Sequence, residues 1–386
     1  MDNRIASFHE DMTAWRRDIH KYPELGFEER RTADFVARKL AEFGLEVHTG
    51  IAETGVVGVL RAGVSERKIA LRADMDALPI VETNSFDHRS QHDGVMHACG
   101  HDGHTTMLLG AARYMAESKN FDGTVYFIFQ PAEEGQGGAR RMIEEGLFER
   151  FPAEEVYGMH NFPGLPVGQF ALRAGPMMAA VDTFDITITG RGGHAALPNL
   201  SVDPLPVAAQ IVSGLQSIVA RRLNPVHAGV VSVTKIHGGE AYNVIPDQVS
   251  LGGCTRSFLP EVRDAIEDGI RRITAGLCAA HGAQGEVAYQ LSYPAVVNSP
   301  RETGLAAAAA RAVVGEANVD VEIAPVMGSE DFAFMLEQKP GAYIIIGNGP
   351  GEGGCLLHNP GYDFNDEILT LGARYWATLA ESRLSK

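Results

Sequence analysis

Short apolar runs alternate with longer segments of helical periodicity through the first 180 residues and the last 90. The runs are rich in β-branched and aromatic residues and predict buried strands at 56–60, 69–72, 124–129, 155–159 and 342–347. Apolar residues spaced three and four apart predict helices at 11–22, 28–43, 105–116, 139–145 and 366–381. This alternation predicts an α/β domain, an open sheet with helices on both of its faces.

The pattern changes between residues 181 and 293. The elements predicted there are a strand at 183–189, a helix at 204–222, strands at 230–236 and 248–256, a helix at 261–281 and a strand at 286–292. The order βαββαβ is that of a ferredoxin-like domain. We therefore predict a catalytic domain formed by 1–180 and 294–386, with a smaller domain at 181–293 inserted into it.

The amino-acid composition argues against some classes of binding partner. The formal net charge is −16, from 33 basic and 49 acidic side chains, which disfavours nucleic acid. No apolar run reaches the roughly 18 residues that a membrane span needs, so no membrane partner is expected. The first residues lack the basic start and apolar stretch of a signal peptide, which leads us to expect a cytoplasmic protein. Four scattered cysteines argue against a disulfide framework and leave each of them for packing, metal binding or catalysis.

Polar side chains follow the predicted strands of the larger domain. They are Asp74 and Asp76 after the second strand, Glu133 and Glu134 after the third, His160 after the fourth and His358 after the fifth. Ligands of open α/β sheets bind at the carboxyl ends of the strands. We therefore expect these four carboxylates and two histidines to converge in one crevice.

The segment 97–104, His-Ala-Cys-Gly-His-Asp-Gly-His, is the densest cluster of potential metal ligands. Cys99 and His101, two apart in a predicted loop, are expected to project to the same side. Thiolate, imidazole and carboxylate groups together are the ligands of zinc and related ions. The alternative is a helix cap with incidental histidines. His97 and His104 are expected to support the site or cap the helix rather than to bind metal.

Seven segments give the chain a resemblance to a known family. They are 17–29 (RDIHKYPELGFEE), 72–79 (RADMDALP), 97–105, 130–135 (QPAEEG), 190–198 (GRGGHAALP), 243–247 (NVIPD) and 328–332 (GSEDF). In this order they resemble the M20 family of metallopeptidases and amidohydrolases. The similarity is greatest to its branch of hippurate hydrolases, N-acyl-amino-acid amidohydrolases and auxin-conjugate hydrolases.

The resemblance implies two divalent metal ions and assigns roles around them. Their ligands would be Cys99, His101, Glu134, His160 and His358. Glu133 would be the general base, and Asp76 would orient a ligand or the base. Cys99 stands where many members of the wider family have a bridging Asp, and Asp74 where many have a ligating His. A thiolate favours zinc or softer ions, whereas mixed oxygen and nitrogen sites also accept manganese, cobalt or nickel.

The pair Glu133-Glu134 fits such a division of roles on physical grounds. Neighbouring loop residues point to different partners, here one to the metal and one to a water molecule that the metal acidifies. A carboxylate beside that water takes its proton and returns it to the leaving nitrogen. The alternative is a solvated acidic loop.

The inserted domain carries three further candidates. His194 lies in a loop after a strand, where its N–H would stabilise an oxyanion. In dimeric relatives the equivalent histidine reaches the neighbouring subunit's metal site, so the resemblance implies a lid and dimerisation domain and a homodimer or homotetramer. Asn243 and Arg256 match positions that hold the substrate's carboxylate, which suits the planar guanidinium of arginine, with a structural ion pair as the rival role for Arg256. Glu330, beyond this domain, is expected to touch substrate or support His358.

The resemblance and the residues together predict a metal-dependent hydrolase of the amide bond in N-acyl or N-aroyl amino acids. The first alternative is a dipeptidase or carboxypeptidase that acts on unblocked peptides. A binding protein that has lost catalysis is a second alternative. The presence of Glu133, Asp76 and all five expected ligands argues against it.

Overall fold

The computed structural model describes residues 1–350 and 355–386, which form two compact units. The first comprises Met1–Met177, Val296–Ala324 and Asp331–Lys386, and the second Met178–Ala295 and Pro325–Glu330. The predicted boundaries placed 325–330 in the catalytic domain, whereas the structure places it in the second unit. The backbone N–H of Ala179 donates to the carbonyls of Val326, at 3.2 Å, and Gly328, at 2.8 Å, which attaches this segment there.

An eight-stranded mixed sheet is the centre of the first unit. Its strands, numbered along the whole chain, are β1 (Glu46–Ile51), β2 (Gly55–Ala62), β3 (Lys68–Asp74), β4 (Gly123–Gln130), β5 (Glu155–Phe162), β6 (Phe170–Ala171), β15 (Val319–Asp320) and β16 (Gly341–Gly347). They lie in the order β1-β2-β4-β3-β5-β16-β6-β15. The four central strands β4, β3, β5 and β16 are parallel, so their carboxyl ends share one edge. Strands β4 and β16 are buried along their whole length, as parallel sheets require.

Helices cover this sheet. They are α1 (Asp2–Ala6), α2 (His9–Lys21), α3 (Arg30–Glu42), α4 (His101–Ser118), α5 (Gly138–Glu144), α6 (Leu147–Arg150), α9 (Pro300–Val314), α10 (Ala333–Gln338) and α11 (Leu369–Arg383). Helix α4 packs against β3, β4 and β5 and against α11, and it is buried almost all round. The core around it includes Leu109, Phe127, Tyr375 and Trp376.

Helix α4 begins four residues earlier than the sequence predicted, so the prediction of a loop is wrong for residues 101–104. These residues form the first turn of the helix. The turn begins after Gly100, whose φ of +98° lies in the left-handed region that glycine tolerates best. A Cβ at Gly100 would lie 2.2 Å from the Asn161 side-chain oxygen, so the site also requires the absence of a side chain there.

The second unit has the predicted ferredoxin-like order. Its elements are β8 (Ala180–Thr189), α7 (Pro204–Arg221), β10 (Gly229–His237), β12 (Gln248–Ser257), α8 (Pro260–His281) and β13 (Gln284–Tyr293). The strands form an antiparallel sheet in the order β10-β12-β8-β13. Alternate residues of β8 (Phe184, Ile186 and Ile188) are buried in a core shared with α7 and α8.

Four further short strands form two pairs among the described residues. Strand β9 (Gly193–His194) pairs with β11 (Val244–Ile245) in a two-stranded ribbon, and β7 (Gly175–Met178) pairs with β14 (Val296–Asn298). Among the described residues, no helix combines the length and the apolar character that crossing a membrane demands.

Candidate metal centre

The predicted strand-end residues converge at the carboxyl edge of the parallel strands in the first unit. Asp74 ends β3, Glu133 and Glu134 follow β4, and His160 lies within β5. The first turn of α4 adds His101. His358 comes from the segment after β16, where its backbone N–H donates to the carbonyl of Ala98 at 2.7 Å.

Four of these side chains, together with Cys99, form two ligand groups that share one residue. Cys99, His101 and His160 place one ligand atom each within 4.8 Å of one another, and so do Cys99, Glu134 and His358. The Cys99 Sγ atom lies 3.4 Å from His160 Nε2, and His358 Nε2 lies 3.3 Å from Glu134 Oε1. This is the ligand set that the resemblance implies, and Cys99 lies at the junction of the two groups.

Hydrogen bonds fix which nitrogen of two histidines is available. His160 Nδ1 lies 2.6 Å from the carbonyl oxygen of Asn161, so this nitrogen carries the proton and Nε2 faces Cys99. His101 Nδ1 lies 3.0 Å from the carbonyl of Asp76 and 3.1 Å from its Oδ1 atom. A carboxylate or carbonyl behind the imidazole is the usual support of a metal-binding histidine. Both rings therefore present Nε2 to the centre.

His101 Nε2 is a buried polar atom with no hydrogen-bond partner among the described residues. Leaving such an atom unsatisfied costs free energy, and a cation would satisfy it. Burial lowers the pKa of His101, but Asp74 and Asp76 outweigh it and raise that pKa to about 10. The anionic surroundings that attract a proton there would also attract a metal ion.

The Cys99 thiol shows the same need for positive charge. Its burial, together with the charges of Glu134, Glu133 and Asp74, raises its pKa well above the usual range. A thiolate forms in such surroundings only when a cation compensates it. Burial, with the neighbouring His104, lowers the pKa of His160 and keeps that ring neutral, as a ligand must be. The donor set therefore fits divalent metal ions.

Both oxygens of the Asp74 carboxylate are hydrogen-bonded to residues outside the five proposed metal ligands. Its Oδ1 atom lies 2.6 Å from His104 Nδ1 and its Oδ2 atom lies 2.6 Å from Arg72 Nη1. His104 Nε2 in turn accepts the backbone N–H of Asn161 at 3.0 Å. Asp74 and His104 thus join α4 to β3 and β5 behind the ligands, which agrees with the supporting role expected for His104.

Asp331 is a supporting residue that the sequence did not single out, although it lies in the segment 328–332. It is fully buried, and its carboxylate accepts Arg72 Nη2 at 3.1 Å, Gln130 Nε2 at 2.7 Å and the Ala139 N–H at 2.8 Å. Its own backbone N–H donates to Glu133 Oε1 at 3.4 Å. Glu133 is also within 4.8 Å of ligand atoms of His101 and Glu134.

A second cluster of buried polar side chains includes two residues of the segment 97–104, Asp102 and His97. Asp102 Oδ2 lies 2.8 Å from His20 Nδ1 and 3.7 Å from Arg16 Nη1, and His20 Nε2 lies 3.3 Å from Glu82. Burial lowers the pKa of His20, but the hydrogen bonds to Asp102 and Glu82 outweigh it and raise that pKa to about 9. His97 is also buried here, and burial lowers its pKa to about 4.

The second unit contains the other four candidate site residues, His194, Asn243, Arg256 and Glu330. His194 and Asn243 meet on the β9–β11 ribbon, where His194 pairs with Val244 and the Ala195 N–H donates to the Asn243 carbonyl at 3.1 Å. His194 is exposed and its Nδ1 accepts the Ala196 N–H at 3.0 Å, which leaves the Nε2 proton available for donation. Arg256 Nη1 donates to the Ser329 hydroxyl at 3.0 Å, beside Glu330 in sequence.

The family model and the similar proteins found by comparison point to the same family. Residues 70–382 match Peptidase family M20/M25/M40. The chain is 44% identical to a hippurate hydrolase of Campylobacter jejuni, covering 95% of this chain and 94% of the relative. It is 41% identical to an N-acetylcysteine deacetylase of Bacillus subtilis, covering 97% of each. It is also 38% identical to thermostable carboxypeptidase 1 of Saccharolobus solfataricus, covering 98% of this chain and 97% of the relative.

A solved structure is similar over the same length. It is a dinuclear metal-binding peptidase of the M20 family from Bacillus subtilis, with 37% identity and a TM-score of 0.86, covering 98% of this chain and 99% of that one. The description of that protein as dinuclear matches the number of ligand groups that meet at Cys99.

Proposed function

The chain belongs to peptidase family M20/M25/M40 and is a metal-dependent hydrolase of amide bonds, and we propose that its substrates are N-acyl or N-aroyl amino acids. In this proposal the metal ligands are Cys99, His101, Glu134, His160 and His358. One observation carries it: these residues form two groups that share Cys99, with Glu133 beside them.

The reaction needs a nucleophilic water and a proton donor for the leaving nitrogen. Divalent ions in the two groups would lower the pKa of water toward about 7 and polarise the amide carbonyl. Glu133 is buried, and its carboxylate lies within 4.8 Å of ligand atoms of His101 and Glu134. We propose that Glu133 takes the proton from the attacking water and delivers it to the amine that leaves.

Asp76 supports this arrangement from two directions. Its Oδ1 atom accepts the His101 Nδ1 proton and its Oδ2 atom accepts the Glu134 N–H at 2.9 Å. Asp76 thereby orients one ligand ring and the backbone of a second ligand. In the second unit, we propose that His194 donates its Nε2 proton to the oxyanion and that Asn243 and Arg256 hold the substrate's carboxylate. For Glu330 we propose contact with the substrate.

Two observations favour blocked amino acids over free peptides. The relatives at 44% and 41% identity are named for hippurate and N-acetylcysteine, each an amino acid acylated on its nitrogen. Phe162, at the end of β5 two residues beyond His160, is 37% exposed and offers an apolar surface to an acyl group. The relative named a carboxypeptidase supports the second candidate, hydrolysis of unblocked peptides.

A paired assay separates these candidates. Benzoyl-glycine and glycyl-glycine share the glycine that leaves and differ in the acyl half, so their kcat/KM ratio reports on the acyl pocket alone. We expect faster turnover of benzoyl-glycine, and of N-acetyl amino acids over the matching dipeptides. Protein stripped of metal by a chelator is the control and should be inactive until divalent ions are restored. A preference for glycyl-glycine would overturn the assignment.

A further inference from the structure

The segment 17–29 is the one family-like motif that the proposed chemistry does not use, and it lies outside the residues that match the family. We propose that Glu29, at the end of this segment, is a positioning residue that holds the loop carrying Glu133 and Glu134. This inference rests on the proposed function, in which Glu133 is the base.

Glu29 is fully buried and both of its carboxylate oxygens are used. Its Oε1 atom accepts the backbone N–H of Ala132 at 2.8 Å, and its Oε2 atom accepts the Thr54 hydroxyl at 2.5 Å. A buried carboxylate is stable only when hydrogen bonds compensate its desolvation. One of these two bonds goes to the residue that immediately precedes Glu133.

Ala132 needs such a restraint because its backbone is unusual. Its φ is +55°, in the left-handed region that few residues other than glycine adopt. Segment 17–29 also packs on it from outside, since a Cβ at Gly26 would lie 3.0 Å from Ala132 Cα. Without its surroundings the loop would relax toward a more common backbone conformation, and the Glu133 side chain would turn with it.

Two carboxylates hold alternate peptide groups on either side of Glu133. Glu29 accepts the N–H of Ala132, before it, and Asp76 accepts the N–H of Glu134, after it. The Asp331 N–H donates to Glu133 Oε1 itself. Asp76 also orients His101, so removing it disturbs a ligand, whereas the hydrogen bonds of Glu29 go to the backbone before the base and to Thr54.

Three substitutions of Glu29 distinguish a positioning role of its carboxylate from a role in packing alone. Glu29→Gln keeps an oxygen for the Ala132 N–H, and its amide donates to the Thr54 hydroxyl. Glu29→Ala removes both bonds, and Glu29→Asp draws the carboxylate back by one methylene. Misplacing a reacting group by about 1 Å can cost about a hundredfold in rate. We expect kcat to fall by about 10- to 100-fold in the Ala and Asp variants, with KM and metal content little changed. The Gln variant should retain most of the wild-type kcat.

Glu24→Ala is the control variant, from the same segment. The Glu24 carboxylate also accepts two backbone N–H groups and a hydroxyl, those of Arg31 and Thr32, but these lie at the first turn of α3. This variant should lose stability and keep the kcat of the folded enzyme. All variants are assayed well below their melting temperatures, on whichever amide the wild type hydrolyses fastest, so that an error in substrate class leaves the test intact.

Three outcomes would overturn the proposal: a wild-type kcat in Glu29→Ala or Glu29→Asp, an equal loss in Glu29→Gln and Glu29→Ala, or an equal loss in Glu24→Ala. If the Ala variant does not fold, the Asp and Gln variants decide. Full activity in Glu133→Gln would instead defeat the proposed general base, which keeps the two failures distinct.

Discussion

The Nε2 atom of His160 faces the Sγ atom of Cys99 at 3.4 Å, while Nδ1 of the same ring is held by a backbone carbonyl. The proton is thus fixed on the far side of the ring and a lone pair points at the thiol. This lone pair accepts the thiol proton, and it would bind a metal ion once the thiol has lost that proton.

Glu133→Gln should abolish turnover while leaving the metal content unchanged. Glutamine matches the shape of glutamate but cannot take or return a proton, so kcat should fall by about a hundredfold to ten-thousandfold. The measurement is kcat together with elemental analysis of the same preparation. Glu154→Gln, at an exposed position, is the matched control and should behave as wild type. Loss of metal from the Glu133 variant would make Glu133 a ligand.

Asp76→Asn should weaken metal binding. One oxygen of Asp76 accepts from the His101 ring and the other from the Glu134 N–H, so an amide NH2 would confront one of these two donors. Losing a carboxylate behind a ligand typically costs about 10- to 100-fold in metal affinity, and we expect a loss of that size. Competition with a chromophoric chelator measures it. Asp87→Asn, an exposed aspartate, provides the baseline. Equal affinities for the two variants would remove Asp76 from this role.

Asp331→Asn should destabilise the fold strongly. Its buried carboxylate accepts three donors, including the fully buried guanidinium of Arg72, and removing one partner of such a pair typically costs about 3–5 kcal/mol. The melting temperature should therefore fall by many degrees. Asp11→Asn removes an exposed partner of Arg113 and should change it little, since exposed pairs contribute about 1 kcal/mol or less. Similar melting temperatures for both variants would contradict this ranking.

His20 should make stability depend on pH. Its pKa is raised from 6.5 to about 9, so its charge stabilises the fold fully below pH 6.5 and loses this effect as pH rises through 9. His20→Gln removes the titration. The difference in melting temperature between wild type and His20→Gln should therefore be larger near pH 6.5 than above pH 9. His9→Gln, at an exposed position, should show no such trend. A difference independent of pH would mean that His20 is not ionised in the folded protein.

The sequence predicted the residues of the candidate metal centre better than the residues that hold them in place. Asp74, Asp76, Glu133, Glu134 and His160 were found because they follow apolar runs, and parallel strands bring their carboxyl ends together. Segment periodicity also gave the ferredoxin-like order of the second unit. These features depend on local pattern, which a single sequence displays.

Contacts between distant segments could not be predicted in this way. Glu29 bonds Ala132, 103 residues away, and Asp331 bonds Arg72, 259 residues away, so neither pair has a local signature in the sequence. The early start of α4 depends on the left-handed backbone of Gly100, which the apolar pattern beginning at Thr105 does not reveal. The segment 325–330 joins the second unit through two backbone hydrogen bonds and the hydrogen bond from Arg256 to Ser329, and all three are contacts between residues distant in sequence.

The shared position of Cys99 is tested most directly by counting metal ions per chain in purified, metal-saturated protein. Cys99 belongs to both ligand groups, whereas His160 and His358 each belong to one. The account predicts two ions per chain in the wild type, one each in His160→Ala and His358→Ala, and close to none in Cys99→Ala. Two ions retained in Cys99→Ala would contradict it.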